Sequence, residues 1–278
     1  MIKKLSLAAA SLVVMAGCDK GPTSPTPQVS SSPVSISITP ATDLLKIKSF
    51  ESFAATTTSA NGTPRVATAT WSSDNPAIAS VDGGGRVTGN ASGRAEITAQ
   101  ADGLRAIVNL RVVPDYHGRW EGGTRVTACT AEGDFRGACT DVIGGSLPLT
   151  LSVAQNRDVI SGDVDFDGAR GPVSTSVQVD GRLVTTGSLT LVVDGIAFDV
   201  ALSDWETATT DNQRMTGRFR LDVRHALLSG FWRLEGDLAS VQKTATTPGA
   251  TLSEPAGSRR TVPGPLSGRL QQIAKRRR

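Results

Sequence analysis

The chain has 278 residues, with 29 Lys+Arg against 26 Asp+Glu and only 2 His, 3 Cys and 1 Tyr. That length suits about two domains of ordinary size and excludes a mini-domain that needs stapling. Two histidines leave little material for acid–base chemistry, and no long stretch repeats apolar residues at helical spacing, which excludes an all-α fold. The net charge of +3 is unevenly spread: the first 17 residues hold +2, the segment from Lys243 to Arg278 holds +7, and residues 18–242 are left at −6. A mildly acidic body grips nucleic acid poorly, so no nucleic-acid partner is expected.

Met1-Ile2-Lys3-Lys4 is a short basic start, and Leu5 to Met15 is an apolar run of 11 residues. A membrane-spanning helix needs about 20 residues, so residues 1–17 read as a signal peptide. Met15-Ala16-Gly17-Cys18 resembles the bacterial lipoprotein signal, with Met15 where Leu is usual. The resemblance implies that Cys18 is acylated and becomes the mature N-terminus. The membrane is then a partner through that lipid, and the protein is exported and anchored in the bacterial cell envelope. Residues 18–33, with Pro22, Pro25, Pro27 and Pro33, read as an extended tether. Export places Cys129 and Cys139 in an oxidising compartment, where a pair ten residues apart is most simply a disulfide.

In residues 34–113, short strand-like runs alternate with turns. The runs are 34–38, 50–58, 66–71, 78–81, 95–99 and 106–113, separated by Asn61-Gly62, Asp82-Gly83 and Asp102-Gly103. Several short strands with regular turns predict a β-sandwich. Trp71-Ser72-Ser73-Asp74-Asn75-Pro76, then Gly85-Arg86-Val87-Thr88-Gly89 and Gly93-Arg94-Ala95-Glu96-Ile97-Thr98-Ala99, resemble the bacterial immunoglobulin-like domain, group 2. Such domains serve as stalks or binding modules, and the resemblance carries over no catalytic residue.

Residues 115–242 predict eight strands: 118–128, 146–155, 158–166, 172–179, 182–193, 196–205, 214–223 and 228–240. Asp167-Gly168, Asp180-Gly181 and Asp194-Gly195 mark hairpins. Leu147, Leu149, Leu151 and Val153 share one face, as do Met215, Phe219, Leu221 and Val223. The opposite faces carry charges such as Arg218, Arg220 and Asp222, which excludes a lipid-embedded barrel. Sequential antiparallel strands with one apolar face close most economically into an up-and-down barrel, which leaves no edges. The expected fold class is thus all-β, a sandwich followed by an eight-stranded antiparallel barrel. Gly118-Arg119-Trp120 is similar to the entry motif of lipocalins and other calycins.

A barrel of this size is either filled by its own side chains or holds one small hydrophobic ligand. Trp120, Phe198, Phe219 and Trp232 are the expected wall residues for such a ligand. Asp163-Val164-Asp165-Phe166-Asp167-Gly168 matches the first half of a calcium loop, but Ser174 stands where the bidentate Glu belongs. In a straight strand Asp163 and Asp165 point outward and Asp167 makes the turn. Asp204 and Glu206 lie close enough to consider an envelope hydrolase, yet no nucleophile elbow, zinc-protease or P-loop motif occurs. No catalytic residue and no cofactor are assigned. Residues 243–278, ending Lys275-Arg276-Arg277-Arg278, read as a disordered basic tail that is attracted to anionic lipid or polysaccharide, or is merely solvated. The expected function is a non-catalytic binding or structural module raised on an immunoglobulin-like stalk, with an envelope protein or polysaccharide as partner. The alternatives are the hydrophobic-ligand carrier and the hydrolase.

Overall fold

The structure is a computed structural model that describes residues 32–244 and 264–275. Cys18 and the tether before residue 32 lie outside the described residues. The first domain holds β1 (Pro33–Thr39), β2 (Leu44–Lys46), β3 (Phe50–Ser52), β4 (Ala54–Ser59), β5 (Pro64–Ala67), β6 (Thr70–Ser73), β7 (Ala79–Val81), β8 (Arg86–Gly89), β9 (Gly93–Ala101) and β10 (Leu104–Val113). Its sheets run β1-β4-β5, β2-β10-β9-β6 and β3-β8-β7. Between them Ile38, Phe53, Ala55, Val87, Ile97, Leu110 and Val112 form one buried core. The expected run 66–71 is two strands, because at Thr68 and Ala69 the chain leaves the sheet of β4 for that of β9. Gly85 has φ +83°, and a Cβ there would meet the Phe53 carbonyl at 2.4 Å and the Trp71 ring at 2.9 Å. Only glycine lets this turn close over the tryptophan.

The second domain holds β11 (Gly118–Ala131), β12 (Pro148–Asn156), β13 (Val159–Phe166), β14 (Ala169–Ser176), β15 (Leu183–Val193), β16 (Ile196–Ala208), β17 (Arg214–Arg224), β18 (Trp232–Leu238) and the short β19 (Val241–Lys243). Neighbours follow chain order from β12 to β18, β18 pairs β11, and β11 pairs β12, so eight strands close an up-and-down barrel. The Asp167-Gly168 and Asp194-Gly195 turns are two residues long, with both φ values positive. That is the turn twist that suits a hairpin. The loosest seam lies between β14 and β15, where Arg170 and Thr190 form the sole ladder pair within the strands. Pro172 has no N–H to give there.

One end of the barrel faces the first domain. Tyr116 seals it: the ring is fully buried, its hydroxyl donates to the Gly181 carbonyl at 2.8 Å, and its own carbonyl accepts from Trp120 Nε1 at 2.7 Å. Asp115 joins the domains, taking Lys46 Nζ at 2.6 Å and Lys243 Nζ at 3.2 Å on its carboxylate. Asn212 Nδ2 donates to the Ile47 carbonyl, and Arg157 pairs with Asp43 at 2.7 Å. Gly181 sits against Ser92 and Pro114 so closely that a Cβ would lie 2.1 Å from Ser92 Oγ. The other end carries the Cys129–Cys139 disulfide, which ties the end of β11 to the 132–147 loop.

Residues 265–275 depart from their expected disorder. Pro265–Lys275 form a helix, α1, whose Leu266, Leu270 and Ile273 are buried in the same core as the barrel. These residues sit at i, i+4 and i+7, one face of a helix. An 11-residue helix is marginal alone, so its order comes from this docking.

Two outcomes follow for the fold. Burial pushes the Asp115 carboxyl up, but the hydrogen bond from Lys46 and the charges of Lys243 and Lys46 outweigh it and hold it below the ordinary 3.8. A depressed carboxyl contributes stability that is present above its unfolded value and lost as pH falls through the folded one. Thermal melts of the wild type should therefore weaken as pH drops below about 4. Asp115→Asn should start about 1 kcal/mol lower at neutral pH and show a flatter acid limb. Replacing Cys129 and Cys139 together by Ser should cost about 2–3 kcal/mol in denaturant titration, the loss expected for so short a loop.

Candidate functional site

Trp120, Phe198, Phe219 and Trp232 are all at most 2% exposed and belong to one continuous core. Phe166 on β13 meets Phe219 on β17 with ring centroids 5.2 Å apart. These strands are four apart in a ring of eight, so the two rings touch across the bore. Phe166 also meets Trp205 edge-on at 5.7 Å. Trp232 Nε1 lies 3.2 Å from Cys129 Sγ. The four proposed wall residues therefore pack on their own neighbours.

Both ends of the bore are closed. Tyr116 and Trp120 close the end toward the first domain, with rings 6.2 Å apart. α1 and the buried Phe135 close the other. Asp167 holds the start of α1: its Oδ2 accepts from the Leu266 N–H at 2.7 Å. The first N–H groups of a helix lack internal partners, so this carboxylate supplies a cap from a distant strand turn. Pro265 at the first helical position gives up an N–H that would have been unpaired. Gln271 Nε2 donates to Asp194 Oδ1 at 3.0 Å, and Arg269 donates to the Thr140 carbonyl.

The calcium-loop residues do not converge. Val164 and Phe166 are buried, Asp163 faces outward, and Asp165 pairs with Arg170 at 2.8 Å and accepts from the Gly168 N–H. Asp167 is spent on α1. Among the described residues no cluster of three metal-ligating side chains forms.

Asp204 and Glu206 owe their position to a bulge. Phe198, Val200 and Leu202 face inward, and strict alternation would carry Asp204 and Glu206 into the core. Instead the register of β16 against β17 shifts between Ser203 and Glu206, and Asp204 takes φ +49°. The extra residue reverses the alternation. Trp205 and Thr207 go in, and both carboxylates come out. Glu206 then bridges Arg182 and Arg218, while Asp204 pairs with Arg220 at 2.5 Å. The bulge also brings in two polar atoms, Trp205 Nε1 and Thr207 Oγ1, that find no partner among the described residues. His117 is exposed in the linker, and His225 accepts from the Leu227 N–H beside Phe198. Among the described residues neither histidine is hydrogen-bonded to a hydroxyl or thiol.

A second concave feature lies between the domains and was not anticipated from the sequence. It encloses about 520 Å³ and is lined by β9 and β10 of the first domain and by the 157–158 turn of the barrel. Arg94, Glu96, Asn109 and Arg111 face it from the sheet, and Asp74 lies at its edge. The signal was present only as charged residues at alternate positions on two adjacent strands. Their meeting with the 157–158 turn depends on how the domains dock.

Residues 34–103 match the Bacterial Ig-like domain (group 2) family. No curated protein matches the chain. Among solved structures the chain is similar to domains 5-6 of the S-layer protein SbsC, at 16% identity over 73% of this chain and 97% of that one, with a TM-score of 0.28. It is also similar to domains 4-9 of surface layer protein SbsC, at 13% identity over 73% of this chain and 31% of that one, again with a TM-score of 0.28. The chain is thus all-β, an immunoglobulin-like domain followed by a closed eight-stranded antiparallel barrel.

The docking of α1 gives a separable outcome. Leu270→Ala removes a fully buried side chain from the helix, and Asp167→Ala removes the cap at about 1 kcal/mol. Either should speed amide exchange across 265–275 while the barrel strands keep their protection. Unchanged exchange in α1 would contradict this docking.

Proposed function

We propose that this is an exported envelope protein, acylated on Cys18, that presents a rigid non-catalytic module on an immunoglobulin-like stalk. The observation that carries the reading is the ring contact across the bore, Phe166 on Phe219 at 5.2 Å. A barrel whose bore is spanned by touching rings and closed at both ends offers its outer surface rather than its inside. That disfavours a carrier of a small hydrophobic ligand. The hydrolase reading loses its carboxylates, since guanidinium groups hold both Asp204 and Glu206 on the outer face.

Other features support export and surface placement. Bacterial immunoglobulin-like domains suit a stalk, and the Cys129–Cys139 bond suits an oxidising compartment. Acyl chains on Cys18 would give about 0.8 kcal/mol of membrane attraction per buried CH₂, enough for stable attachment when there is more than one chain. The Lys275–Arg278 end adds positive charge that anionic lipid or polysaccharide would attract.

Two measurements test the reading. Cell fractionation should move the protein from the membrane to the soluble envelope fraction when Cys18→Ala is introduced. Native mass spectrometry of the gently purified chain should give the acylated mature polypeptide alone. A co-purifying apolar small molecule would instead favour the carrier.

A further inference from the structure

We infer that the cleft between the two domains is a binding site for an acidic saccharide, with Arg94 and Arg111 taking its carboxylate. The register of β9 and β10 sets which charges meet at the cleft. Arg94 and Arg111 stand directly opposite each other, as do Glu96 and Asn109. Like charges in direct opposition work against a sheet. Arg111 is partly relieved by Asp158 at 2.8 Å and by the Val177 carbonyl. Arg94 has no such relief: among the described residues its side chain makes no hydrogen bond or ion pair, and it is exposed at the cleft. The sheet therefore holds two guanidinium groups side by side, of which Arg94 has no partner among the described residues.

The rest of the lining narrows the ligand class. Asp43 and Asp158 are taken up by Arg157 and Arg111. Glu96 and Asn109 have side chains with no partner among the described residues, and Asp74 offers a carboxylate of which one oxygen accepts from the Glu96 N–H at 2.7 Å. A purely anionic ligand such as nucleic acid would meet Asp74 and Glu96 as repulsion. An apolar ligand would meet seven charged side chains among the eleven residues that line the cleft. A sugar ring that bears a carboxylate answers both sets: its acid group faces the guanidinium pair, which is suited to planar oxyanions, and its hydroxyls donate to the carboxylates. A volume of about 520 Å³ lies within the range of small-ligand clefts.

This inference gives the presented module its ligand, so it rests on the reading above, but it can fail without that reading failing. The test is calorimetric titration of the full chain with trigalacturonic acid, with maltotriose as the neutral control. The acidic trisaccharide should bind saturably and maltotriose should not. Arg94→Gln should weaken binding at least tenfold without lowering the melting temperature or changing the membrane fraction. Arg105→Gln, at the far end of β10, should bind as the wild type does. No binding of the acidic trisaccharide would overturn the inference. So would equal binding by Arg94→Gln, equal binding of maltotriose, or an equal loss in Arg105→Gln.

Discussion

The molecule turns on Tyr116. This one buried phenol sits at the point where the chain passes from sandwich to barrel, and three polar groups fix it. Its hydroxyl donates to Gly181, its carbonyl accepts from Trp120, and its N–H donates to Gln155 Oε1 at 2.8 Å. Burial pushes the phenol far above its ordinary range, so it stays a donor at any physiological pH. Because the Tyr116 contacts reach the 177–182 loop and two strands, the linker has become part of the barrel floor. The flanking Asp115 then extends the same junction to Lys46 in the first domain.

That junction explains why the two domains share a cleft at all. Two modules on a free hinge would have no lasting concave surface between them. Here Lys46, Asp43 and Ile47 on one side meet Asp115, Arg157 and Asn212 on the other. Surface ion pairs are individually weak. Their value in this molecule is geometric: they hold the face of β9 and β10 against the 157–158 turn, and so keep the arginine pair in a walled space. The opposite end of the barrel uses a different device, a disulfide-tied loop and a helix capped by Asp167, to reach the same closed state.

Much of this was legible in the residues. The alternation of Leu149, Leu151 and Val153, or of Phe219, Leu221 and Val223, is the inner face of the barrel. Asp-Gly at 102, 167 and 194 gives tight hairpins because that pair accepts positive φ. The failures have physical causes. A period of two cannot announce a bulge, so the reversal at Asp204 that sends Trp205 inward was invisible. The α1 stripe is only Leu266, Leu270 and Ile273 in a segment rich in Pro, Gly and charge, and composition outweighed it. The cleft is formed by residues that alternation reads simply as solvated faces, and only domain docking gives them a common space.

The most direct measurement is the alignment of the two domains in solution, read from residual dipolar couplings on the full chain. A junction locked by Tyr116 and Asp115 predicts one alignment tensor that fits the amides of both domains together. Two tensors of different magnitude would mean that the domains turn independently, and the account of a single rigid body with a cleft of fixed shape would be wrong.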